Sequence, residues 1–486
     1  RMKRNLLIIP ALMVTAFFAA TEIAKAADIS FSGQMLTRYE SNEHGRNGAN
    51  NFDDKSDAGD FTVSRVRLNA DVAVNDSTSA FIQMSRASTW GANGDDNNTG
   101  GGTGGANGSF QVSDADSLLG LHQAYFTLKN FAGLPVDLKL GRQQIVLDGH
   151  RLFGNTIWTV GQQTHDAVRL DHKHDNMSFS YAWIVNTEGG VPNNTQDDPG
   201  AGRKEIETHM AYFKYAGILG GNLSITYAGI IDPCGTGGTL CTTNNTDNDM
   251  HTIGFRQAGQ LYGIDYRGEY YYQWGDATQD ASTLTTGNTT VDVPVDRSAY
   301  MFGVRIGKTF KNVTMKPSLT LWYDYLSGTS DSDLTADGTQ NTLQNEATYK
   351  SFNPVFDTGH KFYGLQDLFL GIGTGSESTG TAALGLQDIA IKTKLSPAPG
   401  WTLKTDYHWF RTAESTTANA NRGLTCRGCG NAIGNELDVS LSNKYNANTT
   451  ITGGFSNYTT TAAFRDLRNV TGDGANWAYL MFDVKF

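Results

Sequence analysis

Apolar and polar residues alternate along most of this chain with a period of two, which is typical of β-strands with one apolar and one polar face. The clearest case is the stretch 261–274, LYGIDYRGEYYYQW. Most of its tyrosines and Trp274 fall on one face, while Arg267 and Glu269 fall on the other. The final ten residues, WAYLMFDVKF, alternate in the same way and end on the aromatic Phe486.

Taken together, the alternating segments predict eighteen strands. We place them at 28–40, 61–75, 77–90, 117–130, 134–148, 164–173, 176–187, 205–216, 221–232, 249–258, 260–275, 297–310, 312–327, 383–396, 400–412, 433–445, 448–460 and 475–486.

The connections between these strands alternate in length. After even-numbered strands they are short: Asp76, FAG, HDN, Lys311, SPAPG and NAN. After odd-numbered strands they are long and rich in Gly, Asn, Asp and Thr: 41–60, 91–116, 188–204, 233–248, 276–296, 328–382 and 413–432. Bacterial outer-membrane barrels have short periplasmic turns and long outer loops in this alternation. Both chain ends fall on the short-turn side, so we expect Phe486 to close against the first strand at the periplasmic rim.

The low mean hydropathy of −0.38 is compatible with this interpretation. In a membrane-spanning barrel only every second residue faces lipid, so the mean hydropathy stays low. Lipid offers no hydrogen-bond partner to an open sheet edge, so the sheet must close. The sequence therefore predicts an all-β fold, a transmembrane antiparallel β-barrel of about 18 strands, with residues 27–486 as a single domain in the bacterial outer membrane.

The N-terminus resembles a secretory signal. Lys3 and Arg4 precede an apolar run, and Ala24-Lys25-Ala26 provides a small-residue cleavage site. We predict a signal peptide at 1–26; an uncleaved anchor is the alternative. The formal net charge of −11 argues against a nucleic-acid partner.

Four cysteines form two close pairs in turn-rich segments: Cys234 with Cys241, and Cys426 with Cys429. In an exported chain each pair is a candidate disulfide. A four-thiolate zinc site is the alternative, although the C-x2-C half occurs only once. The CRGC segment is followed by Gly430 and not His, so covalent haem attachment is not indicated.

Several stretches, in order along the chain, resemble alginate-export-type outer-membrane proteins. They are LGRQQIVLDGHRLFGNTIWTVGQQTHDAVRL (140–170), HKFYGLQDLF (360–369), GLQD (385–388), DYHWF (406–410) and NELDVSLSNKYN (435–446). The resemblance covers essentially the whole chain after residue 26. It implies an 18-stranded barrel, and its best-known members pass an anionic uronate polymer through a narrow, arginine-lined lumen.

The alternation also assigns charged residues to the lumen, which is wide enough in an 18-stranded barrel for an aqueous channel. We expect the following residues to line the solute path: Arg38, Arg65, Arg67, Lys139, Arg142, Arg169, Arg256, Arg267, Glu269, Arg305, Asp388, Lys404 and Asp406. Arginine forks can hold carboxylates while neighbouring acids keep binding weak. In the alternative interpretation these ions pair across the wall, stiffen the barrel and select nothing.

Arg142 does not fit the alternation. If Leu138 and Leu140 face lipid, Arg142 does too, at a cost of ~2–4 kcal/mol at the membrane midplane. We expect a β-bulge at Gly141 to return it to the lumen.

Two loop segments are further candidates. The stretch 360–369 lies in the longest predicted loop, where it either folds into the mouth as a constriction or forms additional strands. Loop 91–116 could bind Ca²⁺ through Asp95, Asp96, Asp114 or Asp116, but it lacks the spacing of a Ca²⁺ loop. We expect no other cofactor.

These patterns favour a porin-like channel for diffusion or export of hydrophilic, anionic or carbohydrate solutes, in contact with outer-membrane lipid and compatible with a periplasmic export partner. A general porin without a polysaccharide role is one alternative, and a barrel that sheathes a periplasmic or electron-transfer partner is another. We expect no enzyme, because no G-x-S-x-G occurs and no Ser/His/acid set can be assembled from the spacing.

Overall fold

The computed structural model describes residues 27–43, 52, 59–90, 119–187, 206–232, 248–277, 295–330, 333, 348–372, 380–416 and 428–486. The predicted signal peptide, the four Ca²⁺ candidates in loop 91–116, and Cys234, Cys241 and Cys426 lie outside these residues. Cys429 is disulfide-bonded.

Strands make up most of the described chain. They are β1 (Asp28–Asn42), β2 (Gly59–Ala73), β3 (Thr78–Thr89), β4 (Gly120–Leu128), β5 (Asp137–Gln143), β6 (His165–His174), β7 (Met177–Thr187), β8 (Ile206–Ile218), β9 (Gly221–Ile231), β10 (Met250–Leu261), β11 (Ile264–Asp276), β12 (Asp296–Thr309), β13 (Ser318–Leu326), β14 (Thr348–Tyr349), β15 (Leu386–Leu395), β16 (Trp401–Thr416), β17 (Gly430–Lys444), β18 (Thr449–Thr460) and β19 (Gly474–Lys485).

The sheet closes on itself. Each long strand pairs antiparallel with its neighbour along the chain, β13 pairs with β15, and β1 pairs with both β2 and β19. The two-residue β14 lies parallel to β12 as a side branch. The described long strands therefore form a closed 18-stranded antiparallel barrel, which confirms the predicted fold class.

The last residue completes the seam between the first and last strands. The Phe486 carbonyl accepts a hydrogen bond from the Gly33 N–H at 2.7 Å, and the Phe486 N–H donates to the Gly33 carbonyl at 3.1 Å. The aromatic ring lies over Gly33, where an added Cβ would meet the Phe486 ring at 2.5 Å. A glycine at this position lets the terminal ring cover the seam.

The two faces of the wall differ as the alternation predicts. The outward positions carry exposed apolar side chains and an aromatic ladder near the strand ends, in which His251 stacks on Trp274 at 5.4 Å and Tyr300 on Tyr325 at 5.7 Å. The inward positions carry most of the charged residues. Such aromatic ladders are typical of the interfacial girdles of membrane barrels.

The core of the protein lies inside the barrel. β5 ends at Gln143 and not at the predicted residue 148, because the chain leaves the wall there and turns into the lumen. Residues 144–164, here called the first inner segment, and residues 348–372, the second inner segment, contribute fully buried side chains such as Phe153, Phe352 and Phe362.

A short helix, α1 (Ala462–Arg468), connects β18 to β19. Thr461 caps it by accepting the Phe464 N–H at 3.2 Å, and Phe464 and Leu467 are buried in the same core. In the part of the chain that the structure describes, no helix has the length and apolar character to cross a membrane.

The seam generates the first prediction. We expect Gly33→Val to lower the temperature at which the barrel loses its compact form on semi-native gel electrophoresis, because the new side chain would displace the Phe486 ring at a cost of about 1–3 kcal/mol. Gly268→Val is the matched control, since nothing lies within 4 Å of an added Cβ there. Equal melting of the two variants would contradict the role of the seam.

Candidate functional site

The two inner segments meet inside the barrel and hold each other there. Phe153 and Phe356 form a parallel β-bridge, and the Gly154 N–H donates to the Phe356 carbonyl at 2.8 Å. The Thr358 N–H donates to the His150 carbonyl at 3.2 Å. The lumen is therefore constricted where the segments cross, and the residues around them are the candidate functional site.

The second inner segment contains the stretch 360–369. This stretch begins in a single 3₁₀ turn, Gly359–Lys361, and within 348–372 the only strand is the two-residue β14. Gln366 ties the stretch to the wall, because its backbone N–H donates to Glu436 at 3.0 Å and its side chain to Ser456 at 3.2 Å. Of the two alternatives, the constriction is the one that the structure shows; the additional strands do not form.

Three of the expected arginines fasten the first inner segment to the wall. Arg38 on β1 and Arg65 and Arg67 on β2 are buried inward positions. They donate to that segment as follows: Arg38 to the Trp158 carbonyl at 2.8 Å, Arg65 to the Thr159 and Val160 carbonyls at 3.4 Å, and Arg67 to the Gln162 side chain at 2.6 Å. Arg38 and Arg65 thereby satisfy backbone carbonyls that an irregular segment would otherwise leave without partners.

Opposite them, Arg151 of the first inner segment enters a buried charge cluster. Its side chain is 1% exposed and donates to Glu269 on β11 at 3.2 Å and to Asp324 on β13 at 2.5 Å. It also donates to the Tyr363 hydroxyl and stacks on Phe362 at 3.8 Å. One guanidinium thus links both inner segments to two strands of the wall.

Further arginines surround the same carboxylates. Arg305 lies 3.3 Å from Asp324 and stacks on Trp322 at 3.0 Å. Arg256 lies 3.8 Å from Glu269 and 3.5 Å from Asp148 in the first inner segment. Arg256 on β10 and Arg305 on β12 therefore come together at Glu269.

Two cations at this cluster have no carboxylate partner. Neither Arg267 nor Lys361 forms an ion pair within the described residues, and Arg267 is turned toward Trp322 at 5.2 Å. Burial lowers the pKa of Lys361, and the neighbouring Arg267 and Arg256 lower it further. The constriction therefore brings five cations together with four carboxylates, Glu269, Asp324, Asp148 and the titratable Asp357, and carries a net positive charge.

A second polar network lies on β15–β17. His408 is fully buried and contacts Asp388 at 2.8 Å, while Lys392 pairs with Asp406 at 3.0 Å and contacts His408 at 3.2 Å. These contacts run from strand to strand and stiffen the wall. Among the described residues, no group of three or more His, Cys, Asp or Glu side chains could hold a metal ion.

The remaining expected path residues are more dispersed. Lys139 lies over the Tyr125 ring at 4.4 Å, and Arg169 pairs with Asp171 at 2.8 Å. Lys404 is exposed near the short-turn end of β16. These residues line the inner face, but they do not reach the constriction cluster.

The expected bulge at Gly141 is wrong. β5 pairs without a register shift on both sides, so Arg142 faces outward beside Leu140. Its side chain is 48% exposed and makes a two-pronged ion pair with Asp166 at 2.8 Å. The register irregularity lies on β4 at His122, one strand away. Pairing with Asp166, and not a return to the lumen, offsets the cost of this outward charge.

Sequence reasoning missed Arg151, Trp322 and Lys361. Arg151 lies beyond the end of the alternating pattern, where periodicity carries no information about direction. Trp322 could have been found, because it lies between Leu321 and Tyr323 in an alternating strand, so it must point to the face opposite theirs. Lys361 lies in the stretch 360–369, for which the sequence left a constriction and additional strands open, but its place beside the arginines depends on the path of the whole second inner segment.

We expect Arg151→Met to release the inner segments. Removing one partner of a buried ion pair costs about 3–5 kcal/mol, because it leaves buried carboxylates without a charge partner. The variant should melt at lower temperature and show a larger single-channel conductance in planar bilayers. Lys350→Met is the control, since its ion pair with Asp333 is half exposed. Unchanged conductance and melting of Arg151→Met would refute the linking role.

The fold has relatives among solved structures. They include Acinetobacter baumannii OccAB2 (TM-score 0.53, 10% identity, covering 94% of this chain and 98% of that one) and Pseudomonas aeruginosa OccK5 (OpdH) (0.52, 10%, 94% and 98%). A. baumannii OccAB1 is similar (0.52, 13%, 94% and 96%). At these identities the likeness shows the fold alone.

At the level of sequence, the chain matches a protein family but no individual curated protein. No curated protein matches the chain significantly. The family described as alginate export, however, matches residues 27–477. Together with the closed barrel, its apolar outer face and its charged interior, this match makes the protein a bacterial outer-membrane channel for solutes. The chain belongs to the alginate export family.

Proposed function

We propose that this channel passes hydrophilic solutes that carry carboxylates, such as uronate sugars and their polymers. The observation that supports the proposal is the surplus of cations at the constriction, where Arg267 and Lys361 have no acidic partner within the described residues. A carboxylate that enters this cluster would meet two unneutralised cations in a site of low dielectric constant, where charge interactions are stronger than in water.

The arrangement also allows release. Arg256 and Arg305 each face Glu269 and are partly neutralised, so they would hold a carboxylate weakly. Conduction requires binding that is favourable enough to enter and weak enough to leave. Trp322 carries Arg305 on its ring and has Arg267 nearby, so it holds both cations at the constriction. We propose no catalysis, and we propose that residues 1–26 serve as the export signal.

A general porin without a preference for anions is the second candidate. It is favoured by the pairing of most inward cations, such as Arg38 with Glu40 at 2.7 Å and Lys392 with Asp406 at 3.0 Å. The two candidates differ in ion selectivity, which a planar bilayer with a salt gradient measures directly.

We expect a reversal potential that shows preference for chloride over potassium. The double substitution Arg267→Gln with Lys361→Gln should lower the anion-to-cation permeability ratio roughly threefold, because it removes the unpaired charges. Lys350→Gln with Arg411→Gln is the matched control, since both residues lie outside the cluster. A wild-type channel without anion preference would favour the general porin, and an equal response of both variants would reject the assigned cluster.

The selectivity should depend on pH through Asp357 of the second inner segment. Burial raises its pKa to about 7, although Arg151 opposes this shift. The carboxyl is therefore mostly charged at pH 8 and mostly neutral at pH 6, so the constriction becomes more positive as the pH falls. We expect the anion preference to rise from pH 8 to pH 6 in measurements of reversal potential.

Asp357→Asn should show the high anion preference at both pH values. Burial and the nearby Lys361 lower the pKa of His150, which opposes its becoming charged as the pH falls. Asp333→Asn is the control: burial opposes ionisation of Asp333, but hydrogen bonds from Lys350 and Ser330 lower its pKa. A pH response that persists in Asp357→Asn would show that another group is responsible.

A further inference from the structure

Four exposed lysines lie at the short-turn end of the barrel between β12 and β18. Lys316 belongs to the turn from β12 to β13, Lys394 and Lys404 flank the turn from β15 to β16, and Lys444 ends β17. We call these four residues the lysine rim. In an outer-membrane barrel the short turns face the periplasm, so the lysine rim lies at the periplasmic mouth.

The lysine rim is unneutralised. None of its four members forms an ion pair within the described residues. Lys394 and Lys404 are also paired directly across neighbouring strands. Like charges in this arrangement repel each other and destabilise the sheet. A wall built only for stability would have opposite charges at these two positions. Such a pair occurs two residues away on the same strands, where Lys392 faces Asp406.

The rim borders a recess of about 710 Å³. Lys316 and Lys444 line it, together with Thr402, Ser442 and Thr450 at lumen-facing positions of β16–β18. No carboxylate lies among its lining residues. The recess therefore combines unpaired cations with hydroxyl groups, which are the partners that an anionic sugar requires.

The backbone holds Lys316 in an unfavourable conformation. Met315 and Lys316 have φ angles of +64° and +45°, and two successive non-glycine residues in this region are uncommon. Residues of this kind persist where the surrounding structure fixes them, and they cluster at functional sites. Here the strained turn places Lys316 at the wall of the recess.

We propose that the lysine rim is a capture site for polyanionic, carboxylate-bearing oligosaccharides at the periplasmic mouth, separate from the constriction. This proposal rests on the anion path proposed above. Lysines are flexible, strongly hydrated point charges, whereas the arginines inside are fixed by ion pairs. Exposed, unpaired lysines raise the local concentration of an anion and its rate of entry without holding it tightly.

The opposite end of the barrel does not offer the same attraction. The described residues at the long-loop ends of the strands mix the acids Glu43, Asp60, Asp249 and Asp296 with cations such as Arg297 and Arg411, whereas the short-turn end from β12 to β17 (306–320, 391–404 and 440–446) carries lysines and no carboxylate. The capture of polyanions is therefore asymmetric: the rate of entry from the periplasmic side exceeds the rate from the other side.

Single-channel recording with a short oligogalacturonate as the probe tests this directly. Each inserted barrel is oriented by a thiol-reactive blocker on Asn446→Cys in a periplasmic turn, and the probe is added to one chamber at a time. In 0.1 M salt we expect blocking events to begin more often from the periplasmic side. Lys316→Gln with Lys444→Gln should lower that frequency roughly fivefold while the duration of each block stays the same.

Lys129→Gln with Lys308→Gln is the matched control. It removes the same charge from the same end of the barrel, but Lys129 lies in a different turn and Lys308 faces outward over Phe310. We expect this variant to behave like the wild type. In 1 M salt, where the screening length falls to about 3 Å, the asymmetry should disappear.

The outcomes separate this proposal from the proposed function. An anion-selective channel in which blocking is symmetric, or in which both double variants respond alike, overturns the lysine rim and leaves the anion path intact. A channel without anion selectivity overturns the anion path itself. If Lys316→Gln with Lys444→Gln shortens each block and leaves the blocking frequency unchanged, the proposal is also wrong. The lysines would then bind the solute inside the channel and would not capture it at the mouth.

Discussion

The structure depends on one constraint: a sheet that crosses lipid cannot leave backbone N–H and C=O groups unpaired at an edge. The chain meets this constraint by pairing β1 with β19, down to the terminal Phe486, whose backbone groups bond to Gly33. Closure at eighteen strands fixes the width of the barrel. A lumen of this width cannot be filled by side chains of the wall alone.

That unfilled lumen explains the rest of the interior. Two connections fold inward, and their apolar residues build the core that a soluble protein would place between layers. Irregular backbone inside the barrel brings its own unpaired carbonyls, and Arg38 and Arg65 donate to several of them. The inward arginines thus have two kinds of role: some hold the inner segments in place, and others surround the constriction.

The type of cation and its pairing with carboxylates differ between the constriction and the periplasmic mouth of the barrel. At the constriction, arginines share carboxylates in a crowded cluster, and Arg267 and Lys361 form no ion pair with a carboxylate among the described residues. At the periplasmic mouth, the four lysines of the rim form no ion pair within the described residues, and Lys394 and Lys404 face each other across neighbouring strands. Paired arginines give a fixed geometry, and unpaired lysines give a long-range field.

The sequence by itself determined the barrel, its strand number and the alternation of inward and outward positions along the strands. These features depend on a period of two that repeats in every strand, so local alternation is sufficient to predict them. Lys139, Arg256 and Glu269 were assigned to the inner face in this way. Alternation failed at Arg142, where an ion pair with Asp166 made an outward charge tolerable, and at residues 144–148, where the strand ended early.

Only the tertiary structure decided which inward charges meet. Arg151 comes to Glu269 and Asp324 from 118 and 173 residues away, through a segment that has no periodic pattern. The position of such a segment is set by its packing against the other inner segment and against distant strands. No local rule contains that information, because the contacts exist only after the cylinder has closed.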